Sequence, residues 1–281
     1  MKLVALIHAH KEPELLRRLI GLLASGGAAV YVNLDLKSSI DPASLGQQAR
    51  LVENRIDIHW GDFSQVQAVL NALAEIEARE EYDYLLYMSG QDYPVWSVER
   101  IAAFLEESRG REFIHFVPAG SGGREWTSSR YDYWHYAGSS RALAAGFRLL
   151  RGAMRAAGLK RPVPLGLKPF AGSGWFTISR RCVRLILEFV AARPEFTDFM
   201  RRTEIPDEMF FQTIVLNSPL KDAVTGDNLR YIDWSQKLPN PKVLEAEDFA
   251  RIAASNAMLC RKLEFRSGAR LMEMLDARQK A

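Results

Sequence analysis

Two adjacent carboxylates, Asp207 and Glu208, head a run that is otherwise almost wholly apolar, TEIPDEMFFQTIVLN at 203–217. A carboxylate held at the edge of a core is a candidate general base for an attacking hydroxyl. With Pro206 in the first turn of a helix, the same acids would instead complement the helix dipole. Asp92 in SGQDYP and Asp35 in VNLDLKSS each follow an apolar run, where a ligand-facing carboxylate and a loop cap are both open readings. GSGWF at 172–176 sets two glycines and Trp175 at the start of a strand, which suits core packing or a bulge as well as a site. Trp126, Tyr131, Tyr133, Trp134 and Tyr136 crowd one polar loop, as the wall of a sugar site or plain packing would. Arg141, Arg148, Arg151 and Arg155 recur at spacings of 7, 3 and 4, on one helix face that is either solvated or turned to an anionic acceptor or lipid.

The elements that must position these residues alternate. Val4–Ile7 reads as a buried strand, and EPELLRRLIGLLAS follows at helical spacing until Gly26-Gly27 stops it. AAVYVNLD and RIDIHW are the next strands. Ser64–Gln67 reads as a capping box opening a helix with Val66, Val69, Leu70, Leu73 and Ile76 on one face. YDYLLYMS, the helix SVERIAAFLEES and the strand EFIHFV complete an alternation over residues 1–117. That pattern predicts an α/β fold with a doubly wound, mostly parallel sheet flanked by helices. Such sheets bind ligands beyond the carboxyl ends of their strands, here the loops His8–Lys11, Asp35–Ser39 and Ser89–Pro94. Helices are also expected over Ser140–Ala157, RCVRLILEFVAA, Asp207–Asn217 and around Lys262, with strands at SGWFTIS and NLRYID. One domain in two halves, 1–117 and 118–281, is the expected organisation.

Composition narrows the functions. In 281 residues, 48% are hydrophobic and 25% charged, with a net charge of +3. That balance is too mild for a dedicated nucleic-acid binder. Cys182 and Cys260 alone give no disulfide framework, and no C-x-x-C or His/Cys cluster suggests zinc. Neither G-x-G-x-x-G nor G-x-x-x-x-G-K-[ST] occurs, so a standard dinucleotide fold and a P-loop lack support. The first residues form neither a secretory signal nor a membrane span, which gives a cytoplasmic protein as the expectation. From Tyr133 to Leu187 there are ten Lys or Arg and no acid, so the basic segment 141–168 is a candidate for peripheral contact with the inner face of a membrane.

IHAHKEPELLRRL, VNLDLKSSID, WGDFSQVQA, YMSGQDYP, GSGWFTISR, PDEMFFQT, NLRYIDW and NAMLCRKLE, in that order, resemble the core-2/I-branching β-1,6-N-acetylglucosaminyltransferase and peptide O-xylosyltransferase family, glycosyltransferase family 14. The resemblance spans roughly residues 3–265 and is loosest at 118–170 and 236–255. It implies a GT-A-type nucleotide-sugar-binding fold and inverting transfer from a UDP-sugar, N-acetylglucosamine first and xylose next, to a glycan or lipid-linked saccharide. It also implies no metal and no cofactor, because the usual Asp-X-Asp motif is missing and SGQDYP offers Asp92 alone.

By the same resemblance Glu208 is the catalytic base and Asp207 its dipole partner. His10, Asp35, Lys242, Arg261 and Lys262 fall at the nucleotide, with Arg251 the fallback for Lys242. Asp92, Arg130, Gly172, Ser173, Trp175 and Trp234 fall at the donor sugar or acceptor. Lacking the anchor, stem and disulfides of eukaryotic members, the chain is expected to be bacterial. Two other readings stay open: a non-catalytic sugar-nucleotide or glycan binder on the same scaffold, and a metal-dependent transferase.

Overall fold

The computed structural model describes residues 1–117, 128–136, 138 and 140–280. Leu3–Ala9 (β1) leads through Pro13–Ser25 (α1) to Ala29–Leu34 (β2), and Ala49–Leu51 (β3) precedes Phe63–Arg79 (α2). Tyr84–Ser89 (β4), Asp92–Pro94 (β5), Val98–Glu107 (α3), Phe113–Ile114 (β6), Ser129–Asp132 (α4) and Arg141–Ala156 (α5) follow. Phe176–Ser179 (β7), Arg180–Ala192 (α6), Pro194–Met200 (α7) and Phe210–Leu216 (α8) come next. Arg230–Ile232 (β8), Phe249–Ala254 (α9), Leu259–Arg261 (β9) and Ala269–Lys280 (α10) complete the chain.

Six strands form the main sheet in the order β3-β2-β1-β4-β7-β6. The first four are parallel; β7 runs antiparallel to β4, and β6 antiparallel to β7. The expected α/β architecture, a mostly parallel sheet flanked by helices, is the one observed. Strands buried on both faces read as near-continuous apolar runs, and successive side chains go to opposite sides. Ala5 and Ile7 of β1 therefore join the core containing Leu16 and Leu19 of α1 and Ile101 of α3. Val4 and Leu6 join the opposite core, with Val66 and Leu73 of α2 and Ile186 of α6. β7, from beyond residue 118, sits between β4 and β6, so the chain's two halves share one sheet.

Several local expectations are corrected. RIDIHW is not a strand: it lies along the loop after β2, where Leu36 N donates to Ile56 O (3.3 Å) and Ile58 N to Asp35 Oδ1 (3.4 Å). The cap of α2 is Asp62, whose carboxylate accepts from Ser64 N at 2.7 Å, rather than Ser64 itself. Asp207–Asn217 is not one helix. Pro206–Glu208 forms a 3-10 turn, Met209 at φ −135° and ψ −33° breaks it, and α8 starts at Phe210. Lys262 is not on a helix either; β9 ends just before it, between β5 and β8 in a second sheet of order β5-β9-β8. In the aromatic loop, Trp126 lies outside the described residues, whereas Ser129–Asp132 forms the short helix α4.

Candidate active site

The carboxyl ends of β1, β2 and β4 come together in register, His8 lying opposite Asn33 on one side and Ser89 on the other. Asp35, 8% exposed, accepts from Lys37 N (2.9 Å) and Ile58 N (3.4 Å), so one carboxylate ties together the loops after β2 and before α2. Burial lowers the His8 imidazole to about 4, which keeps it neutral at pH 7 beside the Tyr87 hydroxyl at 3.4 Å. His10 is lowered by partial burial and then by Lys11, against the pull of Asp35; the charge of Lys262 also reaches it.

The second sheet places Asp92 opposite Arg261 in the β5–β9 pair, with Arg230 on β8. Asp92 has no exposed surface. Its Oδ2 accepts from Ser89 N at 3.2 Å, while Arg261 Nη1 stands 3.6 Å from Oδ1 and Arg230 Nε 3.9 Å from Oδ2. These are ion-pair separations rather than hydrogen bonds, and Asp92 Oδ1, Arg261 Nη1 and Arg230 Nε have no hydrogen-bond partner among the described residues. Burial pushes the Asp92 carboxyl up, against the opposing pull of Arg261 and Arg230. Arg230 spends its other nitrogens on the carbonyls of Asn228 (2.6 Å), Tyr87 (2.7 Å) and Phe176 (3.2 Å), which pins it in place. Burial lowers it to about 10, a value still charged at neutral pH. Arg261 instead lies 4.5 Å from the centre of the Trp175 ring, which packs 4.9 Å from Tyr87.

Trp175 leads back to Glu208. Gly172 N donates to Glu208 O at 2.8 Å, and a Cβ on Gly172 would stand 2.0 Å from His115 O, so only glycine allows this crossing. Ser173 O accepts from Gln212 Nε2 of α8 at 2.6 Å. The Glu208 carboxylate accepts from Arg130 Nη1 of α4 at 2.6 Å, and α4 is anchored in turn by Glu204 N donating to Arg130 O at 3.0 Å. Asp207 turns the other way. Its Oδ2 accepts from Gln65 Nε2 at 3.0 Å, Oδ1 is buried without a partner among the described residues, and burial followed by the Glu208 charge raises the carboxyl to about 7. A carboxyl with its Oδ1 turned inward on a 3-10 turn is not the dipole partner expected of Asp207; the two neighbouring acids, both half-buried, turn to different partners, Gln65 and Arg130.

Lys262 follows β9, half-buried, and is lowered by burial and by Lys11. Its carbonyl accepts from Leu244 N at 2.8 Å. Lys242, two residues earlier than Leu244, commits its Nζ to the fully buried Asp248 at 2.8 and 2.9 Å. Arg251 binds the same carboxylate, so both candidates for the earlier basic position converge on Asp248. Trp234 is 42% exposed, next to Asp233, whose carbonyl accepts from Lys242 N. The fold thus links Glu208, Arg130, Gly172, Ser173, Trp175, Arg261 and Asp92 by direct contact. His10 and Asp35 lie in the loops after β1 and β2, Lys262 after β9 is near enough for its charge to reach His10, and Lys242 and Trp234 stand apart around Asp233 and Asp248.

Sequence reasoning missed Arg230, Tyr87 and the inward role of Asp207. Arg230 left a signal, an arginine inside the strand-like NLRYID, where a charge has to find a partner. Separately, a cavity of about 1240 Å³ is walled by Phe63, Trp134, Tyr136, Arg161, Phe199 and Arg202, beside the segment that follows α4.

Residues 30–259 match the model of the family described as Core-2/I-Branching enzyme. Xylosyltransferase 2 of Rattus norvegicus is 24% identical over 289 aligned residues that cover 93% of this chain and 32% of the relative. Xylosyltransferase 1 of Homo sapiens is 25% identical, with 84% of this chain and 24% of the relative covered. The chain therefore spans about a third or less of the length of these relatives. Among solved structures, that of TarS from S. aureus is similar at 16% identity and a TM-score of 0.28, covering 48% of this chain and 25% of that one. With more than half of the chain matched by the family model, the protein belongs to the Core-2/I-Branching enzyme family.

Proposed function

We propose that the protein is an inverting glycosyltransferase that moves a sugar from a UDP-sugar to a glycan hydroxyl. Glu208 takes the proton of the acceptor hydroxyl as its oxygen bonds to the anomeric carbon. The bond from that carbon to the diphosphate breaks on the opposite face, and UDP leaves with the electron pair. One displacement inverts the centre, and one base suffices because no covalent glycosyl-enzyme forms. The observation that carries this reading is Glu208 itself. Its carboxylate is accessible and oriented by Arg130, and its backbone is bound to the Gly172 loop, which continues into the Trp175–Arg261–Asp92 cluster.

Arg261 and Lys262 would stabilise the charge growing on the departing diphosphate in a GT-A-type fold without a metal. What supports this is the setting of Asp92, flanked by two guanidiniums rather than by further carboxylates. His10 and Asp35 would hold the nucleotide, and Trp175 and Asp92 the donor sugar. N-acetylglucosamine and xylose are the donors proposed, xylose gaining support from the relatives named xylosyltransferase. The aromatic-lined cavity beside α4 suits a saccharide acceptor. The test is a panel of UDP-sugars with chelator present, read for binding, donor hydrolysis and transfer. Turnover of one donor, lost in Glu208→Gln with binding kept, is expected. Binding with no turnover of any donor would make the protein a sugar-nucleotide binder instead.

A further inference from the structure

Helix α5 stands on the molecule without entering either core: none of its 16 residues is buried. Local chemistry supports it, since Ser140 Oγ caps it by accepting from Leu143 N at 3.3 Å. At about 100° per residue, Leu143, Phe147, Leu150 and Met154 share one face, and Arg141, Arg148, Arg151 and Arg155 the adjacent one. The protein holds the helix along the seam between them. Phe147 stacks on Tyr136 with ring centres 5.5 Å apart, and Arg151 and Arg155 stand 5.8 and 5.7 Å from the centre of Tyr133. The rest faces outward. Leu143, Leu149 and Leu150 are 52%, 76% and 44% exposed, with exposed Ala142, Gly146 and Ala153 between them. Arg141 and Arg148 border this surface, and Leu159 and Leu165, just beyond the helix, are 59% and 46% exposed.

Charge decides among the occupants such a face could take. A second copy docked symmetrically on it would bring the same arginines against each other, with no acid between Tyr133 and Leu187 to offset them. An anionic bilayer matches both parts of the surface: leucines enter the acyl boundary and guanidiniums meet the lipid phosphates. The helix would lie in the plane of the surface, since no helix among the described residues is long and apolar enough to cross a membrane.

We propose that α5 is an in-plane docking helix for an anionic lipid surface, with Leu143, Leu149 and Leu150 inserted and Arg141 and Arg148 on phosphates. Tyr133 and Tyr136, which hold α5, directly follow α4, the helix that carries Arg130 against Glu208. Docking therefore sets the candidate active site beside the bilayer, where a lipid-linked saccharide would present its sugar; that last clause rests on the glycosyltransferase reading, and the lipid binding does not.

Flotation with vesicles of phosphatidylcholine alone, and of phosphatidylcholine with phosphatidylglycerol in equal parts, tests it. The full chain is expected to float with the second and to be released by high salt. Leu149→Ser/Leu150→Ser should weaken this by about a hundredfold or more. Arg141→Gln/Arg148→Gln should weaken it by about twentyfold. Both variants should keep the parent's unfolding temperature and UDP affinity. Absence of flotation with anionic vesicles overturns the proposal, as does equal flotation of the parent and both variants. So does a dimer of the parent, detected by sedimentation, that the leucine variant abolishes. A protein that floats as expected but turns over no donor would sink the catalytic reading alone.

Discussion

Arg130 Nη1 lies 2.6 Å from Glu208 Oε2, the arginine side chain 14% exposed and the glutamate 36%. The pair joins a four-residue helix to a 3-10 turn 78 residues away, and it fixes the Glu208 carboxylate of the PDE segment. A charge-assisted bond of this kind orients a base more than it stabilises a fold, because partly exposed ion pairs contribute only about 1 kcal/mol or less. Glu208→Gln should lower kcat by about 10²–10⁴-fold and leave donor Kd unchanged. Arg130→Ala should lower kcat by about tenfold or more, with little change in unfolding temperature, because the carboxylate loses its orientation. Full turnover by Glu208→Gln, measured with saturating donor, would move the base elsewhere.

Asp207 makes a prediction about stability. Its carboxyl is raised from 3.8 to about 7 by burial and by the charge of Glu208. Between those values the folded chain holds a proton that the unfolded chain has released. Stability therefore falls as pH rises through the window and is lowest above it. Asp207→Asn cannot ionise, and its amide oxygen can still accept from Gln65. The variant should unfold at a higher temperature than the parent at pH 8, with the advantage shrinking towards pH 4. The gain at pH 8 is expected to be on the order of 1 kcal/mol or more. Parallel melting curves for the two proteins across this range would show that Asp207 is solvated and ionised.

Gly172 and Gly174 offer a matched pair. A Cβ on Gly172 meets the His115 carbonyl oxygen at 2.0 Å, a backbone atom that cannot step aside, whereas one on Gly174 meets Asp207 Oδ2 at 3.2 Å, the end of a side chain. Gly172→Ala should cost about 1–3 kcal/mol of stability and displace the Glu208 segment bonded to it, so kcat should fall too. Gly174→Ala should cost clearly less. Equal melting temperatures for the two variants would contradict the close crossing of Gly172 over the His115 carbonyl.

How much of this was legible follows from where each signal lies. β1, β2 and β4 are long apolar runs buried on both faces, and α1, α3 and α6 carry their own periodicity, opened by Pro13 in α1 and capped by Ser97 and Ser179 in α3 and α6, so local sequence suffices for them. RIDIHW misleads because Ile58 is fastened by Asp35 in a loop, and alternation along an extended segment does not reveal whether a neighbouring strand exists. LCRKLE misleads in the opposite sense. Three residues become a strand only because β5 and β8 arrive from 167 and 29 positions away to pair with them at Cys260. The site shows the same division. Glu208, Asp92 and Trp175 stand out in short motifs, but the partner of each, Arg130, Arg230 or Arg261, comes from a distant part of the chain. Motif resemblance could mark Arg261, whereas Arg130 falls in the stretch 118–170 where the resemblance is loosest, and nothing in it says that Asp92 lies between two guanidiniums.

That last arrangement bears on how the diphosphate of the proposed UDP-sugar donor would be stabilised as it leaves. Arg261 is held between the Trp175 ring at 4.5 Å and Asp92 at 3.6 Å, and Lys262 follows it directly. If these cations do the work of a divalent ion, transfer should persist in chelator. Lys262→Met should then lower kcat by about 10²–10³-fold, the scale of removing one stabiliser of transition-state charge, and Lys262→Arg should recover part of it. Asp92→Asn would act through the fold, because it leaves Arg230 and Arg261 without their buried counter-charge, a loss of about 3–5 kcal/mol in stability. A metal-dependent enzyme behaves otherwise: chelator stops it, added magnesium or manganese restores it, and Asp92→Asn raises the metal concentration needed while the melting temperature stays near that of the parent. Measuring rate against metal concentration for the parent and Asp92→Asn, alongside their unfolding curves, therefore distinguishes an aspartate that holds arginines in place from one that holds an ion.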